Sequence, residues 1–263
     1  MTKKVLVTGA NGQLAKTLKR LYQNNNDKID LLFLSKQELN IANKKQINSV
    51  FTTNSFNYCI NCAAYTNVEQ AEKTPEIAFK INAEGVKNLA LACKRTNTVL
   101  IHISTDYVFD GETETPYTVK DIPNPINEYG KSKLLGEQYI QKVLDKYYIV
   151  RTSWLYSKEF GHNFYLTVLH AINSDKTLTI DNIQKGCPTN TTSLADYIFK
   201  IIKTARTDFG IKHFCDQEEM TWYEFAKKIL MENNLNTKLY LVKEGRYHTF
   251  ATRPRNSVLL NTK

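Results

Sequence analysis

Two residue pairs in this chain have the types and spacing for proton chemistry. Tyr129-Gly130-Lys131-Ser132-Lys133 sets a phenol and an ammonium four residues apart, one turn along the same face of a helix. An ammonium beside a phenol favours the phenolate, so Lys133 is expected to draw the Tyr129 pKa down from its usual value near 10 toward neutrality, where it can give or take a proton. Tyr-x-x-x-Lys is a weak signal alone in a chain with 15 tyrosines. It gains weight from Ser104-Thr105 at the end of an apolar strand, where the Thr105 hydroxyl could hydrogen-bond a substrate oxygen.

A third motif tells what that edge would face. Thr8-Gly9-Ala10-Asn11-Gly12-Gln13-Leu14-Ala15 reads G-x-x-G-x-x-A, directly after a β-branched run and before leucines at helical spacing. Gly9 permits the sharp turn, Gly12 lets backbone approach a pyrophosphate, and small Ala15 lets the helix pack on the strand. The N–H groups of the helix start then face the phosphates, so a dinucleotide is the expected ligand. The absence of G-x-x-x-x-G-K-[ST] argues against a P-loop nucleotidase. An acid reading the ribose 2′-OH is expected roughly 20 residues further on. That place holds Leu34-Ser35-Lys36, so with no acid and a hydroxyl and a cation at hand NADPH is expected, with NADH tolerated.

The elements that must position these groups alternate. Strands are expected at Lys3–Thr8, Leu31–Leu34, Tyr58–Ile60, Thr98–Ser104 and Tyr147–Arg151. Helices are expected after the Gly-rich turn, around Ile47, Val50 and Phe51, from Pro75 to Arg95, and from Asn127 to Leu144. Apolar strands separated by helices predict a Rossmann-type, doubly wound parallel sheet over residues 1–155, whose carboxyl edge binds ligands. The remaining 156–263 supply fewer strands: helices near Phe164–Asn173, Leu194–Ala205 and Trp222–Glu232, and strands at Leu178–Ile180 and Lys238–Val242. They are expected to form a smaller α/β substrate lobe on that edge, with some crossing of the chain between the two.

Composition narrows the class. At 42% hydrophobic and 23% charged residues the chain is globular, and no apolar run approaches the roughly 20 residues of a membrane span. The short apolar start is no secretory signal, so a cytoplasmic protein is expected. The net charge of +9 is scattered in lysine pairs without a basic run, which suits a phosphorylated small molecule better than nucleic acid. Five cysteines over more than 150 positions read as reduced thiols. Cys59 and Cys62, three apart in a strand-like segment, point to opposite faces and do not form a metal or redox pair. His102, His162, His170, His213 and His248 are scattered, and no metal site is expected.

The sequence resembles the extended short-chain dehydrogenases/reductases and, within them, the dTDP-4-dehydrorhamnose reductase family. The resemblance is carried, in order, by Gly12-Gln13-Leu14, the run Asn61 to Glu72, Asn82, Ser104-Thr105-Asp106-Tyr107-Val108-Phe109-Asp110-Gly111, Tyr129 to Lys133, Arg151-Thr152-Ser153-Trp154-Leu155-Tyr156, Gly186-Cys187-Pro188-Thr189 and Arg253 to Ser257. It implies that Gly9, Asn11, Gly12, Gln13, Leu14, Ala63, Ala64, Tyr65 and Thr66 lie along the cofactor. Ser35, Asn40 and Ile41 would border its adenosine half, and Tyr129 and Lys133 the nicotinamide ribose. Thr105, Asp106 and Trp154 would meet a dTDP-sugar; Trp154 offers it a flat apolar face, and Arg253 could pair with the diphosphate.

The implied activity is reduction of a 4-keto nucleotide sugar by hydride transfer, with Tyr129 as general acid and Thr105 on the oxyanion, giving dTDP-L-rhamnose. Dehydratases of the superfamily place Asp-Glu after the Thr, whereas Asp106 is followed by Tyr107, so the second carboxylate for elimination is missing. A related epimerase, or a non-catalytic regulatory subunit on the same fold, is the alternative. Asn40 stands where the family carries Asp. Thr17 and Thr192 stand where members with a metal-bridged dimer carry glutamates, so a homodimer would here lack that magnesium. The chain stops at Lys263, where relatives continue into a final helix, so a trimmed lobe or impaired activity is expected.

Overall fold

A computed structural model describes residues 2–25, 27–174, 177–216, 218–235, 241–244 and 249–262. His248 and the first residues of the strand expected at Lys238–Val242 lie outside them. The first half runs β1 (Lys3–Thr8), α1 (Gln13–Tyr22), β2 (Ile29–Leu34), α2 (Lys44–Thr53), β3 (Tyr58–Asn61), α3 (Val68–Lys73), α4 (Pro75–Phe79), a π-helical turn over Lys80–Gly85, α5 (Val86–Thr96), β4 (Val99–Thr105), a 3₁₀ turn at Asp106–Val108, α6 (Glu128–Val143) and β5 (Tyr147–Thr152). The second half runs β6 (Leu155–Tyr156), α7 (Phe164–Asn173), β7 (Leu178–Asp181), β8 (Lys185–Gly186), β9 (Thr189–Asn190), α8 (Thr191–Lys203), β10 (Gly210–His213), β11 (Met220–Thr221), α9 (Trp222–Glu232) and β12 (Leu241–Glu244).

The central sheet is parallel throughout, in the order β10-β5-β4-β3-β1-β2. Its strands are apolar on both faces because both are covered. Val5, Val7, Ile101 and Val150 pack under α1 and α8, whereas Leu6, Cys59, Leu100 and Ile149 pack under α2, α5 and α6. The strand order reverses between β1 and β3, which opens a crevice at their carboxyl ends.

The boundary expected at 155/156 is crossed: α8 packs on α1, and β10 joins the sheet beside β5. Pairing of Gly210–His213 with Tyr148–Arg151 gives the sheet its sixth strand. The lobe is built from α7 and α9 packed together, with its own core around Tyr165, Val168, Phe225 and Ile229. Among the described residues no helix is long and apolar enough to cross a membrane.

Candidate active site

The Gly-rich turn is held by what lies behind it. Gly9 adopts φ +67°, and a Cβ there would meet Ala63 backbone at 2.8 Å, so only glycine fits. Gly12 is the N-cap of α1 and no side chain caps that helix, which leaves its first N–H groups directed at the crevice, an arrangement suited to a phosphate. Ala63 is therefore a wall behind Gly9. Ala64 and Thr66 line the open cleft, of about 880 Å³, together with Asn11, Gly12, Gln13 and Leu14.

Asn82, wholly buried within the π-helical turn, clamps the peptide of Tyr65 from both sides, accepting from its N–H at 2.8 Å and donating to its carbonyl at 3.0 Å. Gln13 bridges to the lobe, donating to Leu155 O at 3.0 Å and accepting from Asn163 at 3.0 Å.

The end of β2 differs from expectation in one respect. Ser35 is not a free hydroxyl: its Oγ and its N–H both donate to Glu38 Oε2 at 2.7 Å, and these bonds hold the Glu38 carboxyl below its usual range. The strand end thus does carry an acid, three residues past the place where one was sought. Asn40 turns its Oδ1 to the Ala42 N–H, and Ile41 is buried beneath Gly85 in the core. Ser35, Asn40, Ile41 and Tyr65 do not belong to the wall of the cleft.

Tyr129, Lys133, Thr105, Asp106, Trp154 and Arg253 all line that cleft. Asn127 caps α6 by accepting from the Gly130 N–H at 2.8 Å, and Tyr129, Lys133 and Glu137 follow at intervals of four on the face toward β4. Opposite them His102 and Ser104, two apart on β4, meet Lys133 and Glu137 respectively: His102 Nε2 is 3.3 Å from Lys133 Nζ, and Ser104 Oγ donates to Glu137 Oε1 at 2.5 Å. Lys133 Nζ also donates to Ile103 O at 2.7 Å.

The electrostatics correct one expectation. The Tyr129 pKa is pushed up, not down, first by burial and then by Asp106, with only the Thr105 hydroxyl opposing. The half-buried phenol stays protonated, as a proton donor requires.

Thr105 is also more committed than expected. Its Oγ1 donates to Asp106 Oδ1 at 2.9 Å and accepts from the Tyr107 N–H at 3.1 Å. Asp106 is buried, and desolvation raises its pKa to about 6 against hydrogen bonds from Ser257, Ser153 and Thr105. Three positions of the Arg151-Thr152-Ser153-Trp154 segment thus have a legible job. Arg151 pairs with Glu137 at 2.7 Å, Ser153 Oγ donates to Asp106 at 2.9 Å, and Trp154 enters the cleft.

Trp154 holds φ +47°, rare for a bulky side chain, and packs so tightly on Gly186 that a Cβ there would fall 2.4 Å from its ring. One ring face is already taken by Trp222, which the sequence reading did not single out. Arg253 donates from Nη2 to Glu69 at 2.9 Å, so its nearest anion is a side chain of the protein. Among the described residues no group of three or more His, Cys, Asp or Glu side chains is arranged to hold a metal. Thr17 is turned inward, donating to Gln13 O at 2.9 Å.

A parallel sheet with a Gly-rich turn at its switch point, and a Tyr-x-x-x-Lys helix facing a Ser-Thr strand end across one cleft, defines an extended short-chain dehydrogenase/reductase. A family model described as the RmlD substrate binding domain matches residues 3–263, and the chain belongs to that family, the family of the dTDP-4-dehydrorhamnose reductases. It is 37% identical, over 99% of its length and 91% of the relative's, to dTDP-4-dehydrorhamnose reductase of Aggregatibacter actinomycetemcomitans. It is 34% identical, over 86% of its length and 77% of the relative's, to dTDP-4-keto-6-deoxy-D-glucose reductase of Streptomyces niveus. Among solved structures, dTDP-4-dehydrorhamnose reductase of Bacillus anthracis in complex with NADP superposes with a TM-score of 0.93 at 37% identity, covering 100% of this chain and 92% of that one.

Proposed function

We propose that this chain reduces dTDP-4-dehydro-L-rhamnose to dTDP-L-rhamnose with NADPH. The observation that carries the reading is the convergence of Tyr129, Lys133 and Thr105 on one cleft with the uncapped start of α1, in a chain of this family. When bound, the dihydronicotinamide supplies a hydride to C4 of the sugar.

Tyr129 gives its hydroxyl proton to the sugar O4 as charge develops there, and its burial keeps that proton in place until then. Lys133 donates to the nicotinamide ribose. Thr105 and Asp106 orient the O4 side of the sugar, and the free edge of the Trp154–Trp222 pair bounds it. Arg253, steadied by Glu69, faces the diphosphate. The N–H groups of α1 take the cofactor pyrophosphate, and Ser35 with Lys36 takes the 2′-phosphate, an arrangement that requires Glu38 to yield. The protein works in the cytoplasm, where its substrates are, as a homodimer without a bridging metal.

The test is to follow NADPH consumption by the purified chain with dTDP-4-dehydro-L-rhamnose, and to identify the product by NMR. Formation of dTDP-L-rhamnose supports the proposal; no NADPH consumption counts against it. Preference for dTDP-4-keto-6-deoxy-D-glucose would move the chain toward its Streptomyces niveus relative.

A further inference from the structure

His102 is fully buried in the middle of β4, between a lysine and an amide. Its Nε2 lies 3.3 Å from Lys133 Nζ and its Nδ1 lies 3.0 Å from Asn61 Nδ2. Asn61 decides which ring nitrogen carries hydrogen. Asn61 Oδ1 accepts from the Thr8 hydroxyl at 2.6 Å and, at 3.3 Å, from the Ala63 N–H, a hydrogen it shares with Thr8 Oγ1 at the same distance. An NH₂ at that distance would meet the Ala63 N–H hydrogen to hydrogen, so the Asn61 oxygen faces it and the Asn61 NH₂ faces the ring. That NH₂ also can only donate, so Nδ1 is bare and the neutral ring carries its hydrogen on Nε2, toward Lys133. An ammonium would meet that N–H with hydrogens alone, whereas an amine has a lone pair to accept it.

The geometry points to His102 as a positioning residue for Lys133: its Nε2–H is turned on the lysine nitrogen, which therefore favours the amine in the cofactor-free cleft and takes a proton from solvent as an anionic dinucleotide enters. This rests on the dinucleotide-binding reading above. The proton adds to the Nζ lone pair and no other bond changes. The three hydrogens of the resulting ammonium then serve Ile103 O and the incoming ribose.

The groups around the pair are accounted for. Glu137 on α6 and Cys62 after β3 both favour the ammonium, and Glu137 is held by Arg151 on β5. Tyr129 stands one turn away on α6 with Asp106 beside it. Burial outweighs Glu137 and Cys62 and brings the Lys133 pKa down to about 8. Burial pushes His102 well below the imidazole range, and a proton on Lys133 pushes it further, so the ring stays neutral in either state of the lysine.

Nitrogen-15 NMR of histidine-labelled protein without cofactor, with the His102 signal assigned by its loss in His102→Gln, should show the Nε2–H tautomer; the Nδ1–H tautomer overturns the inference. Calorimetry of NADPH binding at about pH 8.5, in two buffers of unlike ionisation enthalpy, should show uptake of over half a proton. Asn61→Asp should reverse the ring, because a carboxylate accepts from Nδ1–H and leaves Nε2 bare to accept from the ammonium. Proton uptake should then fall to about a quarter of a proton, and the alkaline limb of kcat/KM should move up by about one pH unit. A purely structural role would lower the rate at every pH and leave limb and uptake in place. Tight NADPH binding without uptake removes this inference alone; no NADPH binding by the unaltered chain removes the reading on which it rests.

Discussion

Trp154 lies flat on Trp222, ring centroids 3.5 Å apart and planes 5° from parallel. Trp154 follows β5 of the sheet and Trp222 opens α9 of the lobe, so the stack joins the two halves where they border the cleft. The Trp222 indole N–H donates to Gln184 Oε1 at 3.2 Å, which fixes the outer ring. These are the two tryptophans of the chain, so all indole fluorescence reports from this point.

Titration with dTDP should therefore change the tryptophan emission, and NADPH should quench it by energy transfer. Trp222→Ala should raise the KM for the nucleotide sugar about 10-fold with a smaller change in kcat, since it removes a wall and no reacting group. Emission indifferent to saturating dTDP would place the nucleotide elsewhere.

Cofactor choice turns on Glu38. Its carboxylate accepts both donors of Ser35, the residue expected to meet a 2′-phosphate, and a fixed negative charge there repels that group. Glu38→Gln should tighten NADPH binding about 5-fold, roughly 1 kcal/mol, and leave NADH within about 2-fold. Ser35→Asp should shift preference toward NADH. Equal changes for both cofactors, measured by fluorescence titration, would show that this strand end does not read the 2′ position.

Much of the fold was legible because its cues are local. Apolar strands separated by amphipathic helices mark the sheet, and Thr221 with Glu224 forms a capping box that sets the start of α9. β10 was not legible: Lys212 and His213 look like surface residues, and they are buried only because β5, some sixty residues earlier, pairs with them. The site divides in the same way. Tyr129 and Lys133 can be read from a four-residue spacing, whereas Glu137 gains meaning only from Arg151 on a strand. His102 reads only as one of five scattered histidines because its partners Asn61 and Lys133 come from two other elements. The Ser35–Glu38 turn could have been found, since Ser-x-x-Glu is itself a capping pattern.

The Arg151–Glu137 pair predicts a stability effect. Both side chains are almost fully out of solvent, and Glu137 also receives the Ser104 hydroxyl. Arg151→Met would leave a carboxylate buried without a counter-charge and should cost about 3–5 kcal/mol. Adding Glu137→Leu should restore most of that loss, although Ser104 is left without its acceptor. Urea denaturation of the three variants measures this, and a double variant no more stable than the single one contradicts it.

Asp106 predicts a pH dependence of stability. Its folded pKa of about 6 lies above the unfolded value of 3.8, so between those values the folded protein holds a proton that the unfolded chain has released. Its contribution is greatest below pH 4, falls as pH rises to about 6 by up to about 3 kcal/mol, and is constant above. Asp106→Asn lacks this slope, so subtracting the two stability profiles isolates it. Parallel profiles from pH 4 to pH 7 would mean that Asp106 titrates in the ordinary carboxylate range.

The proton donor is the most direct test of the chemistry. Tyr129→Phe keeps the ring and its edge contact with Tyr107 and deletes the transferable proton. The rate should fall by roughly 10² to 10⁴-fold while NADPH affinity changes little. Lys133→Met should slow turnover and also weaken NADPH binding, because its nitrogen is assigned to the ribose. Thr105→Val should cost less, about 1–3 kcal/mol, since its hydroxyl is shared with Asp106. The ordering is diagnostic. Near-normal turnover by Tyr129→Phe from about pH 6 to 9, in a folded protein, would move the proton to another donor, and Asp106, buried beside Thr105 with its raised pKa, would be the next residue to replace.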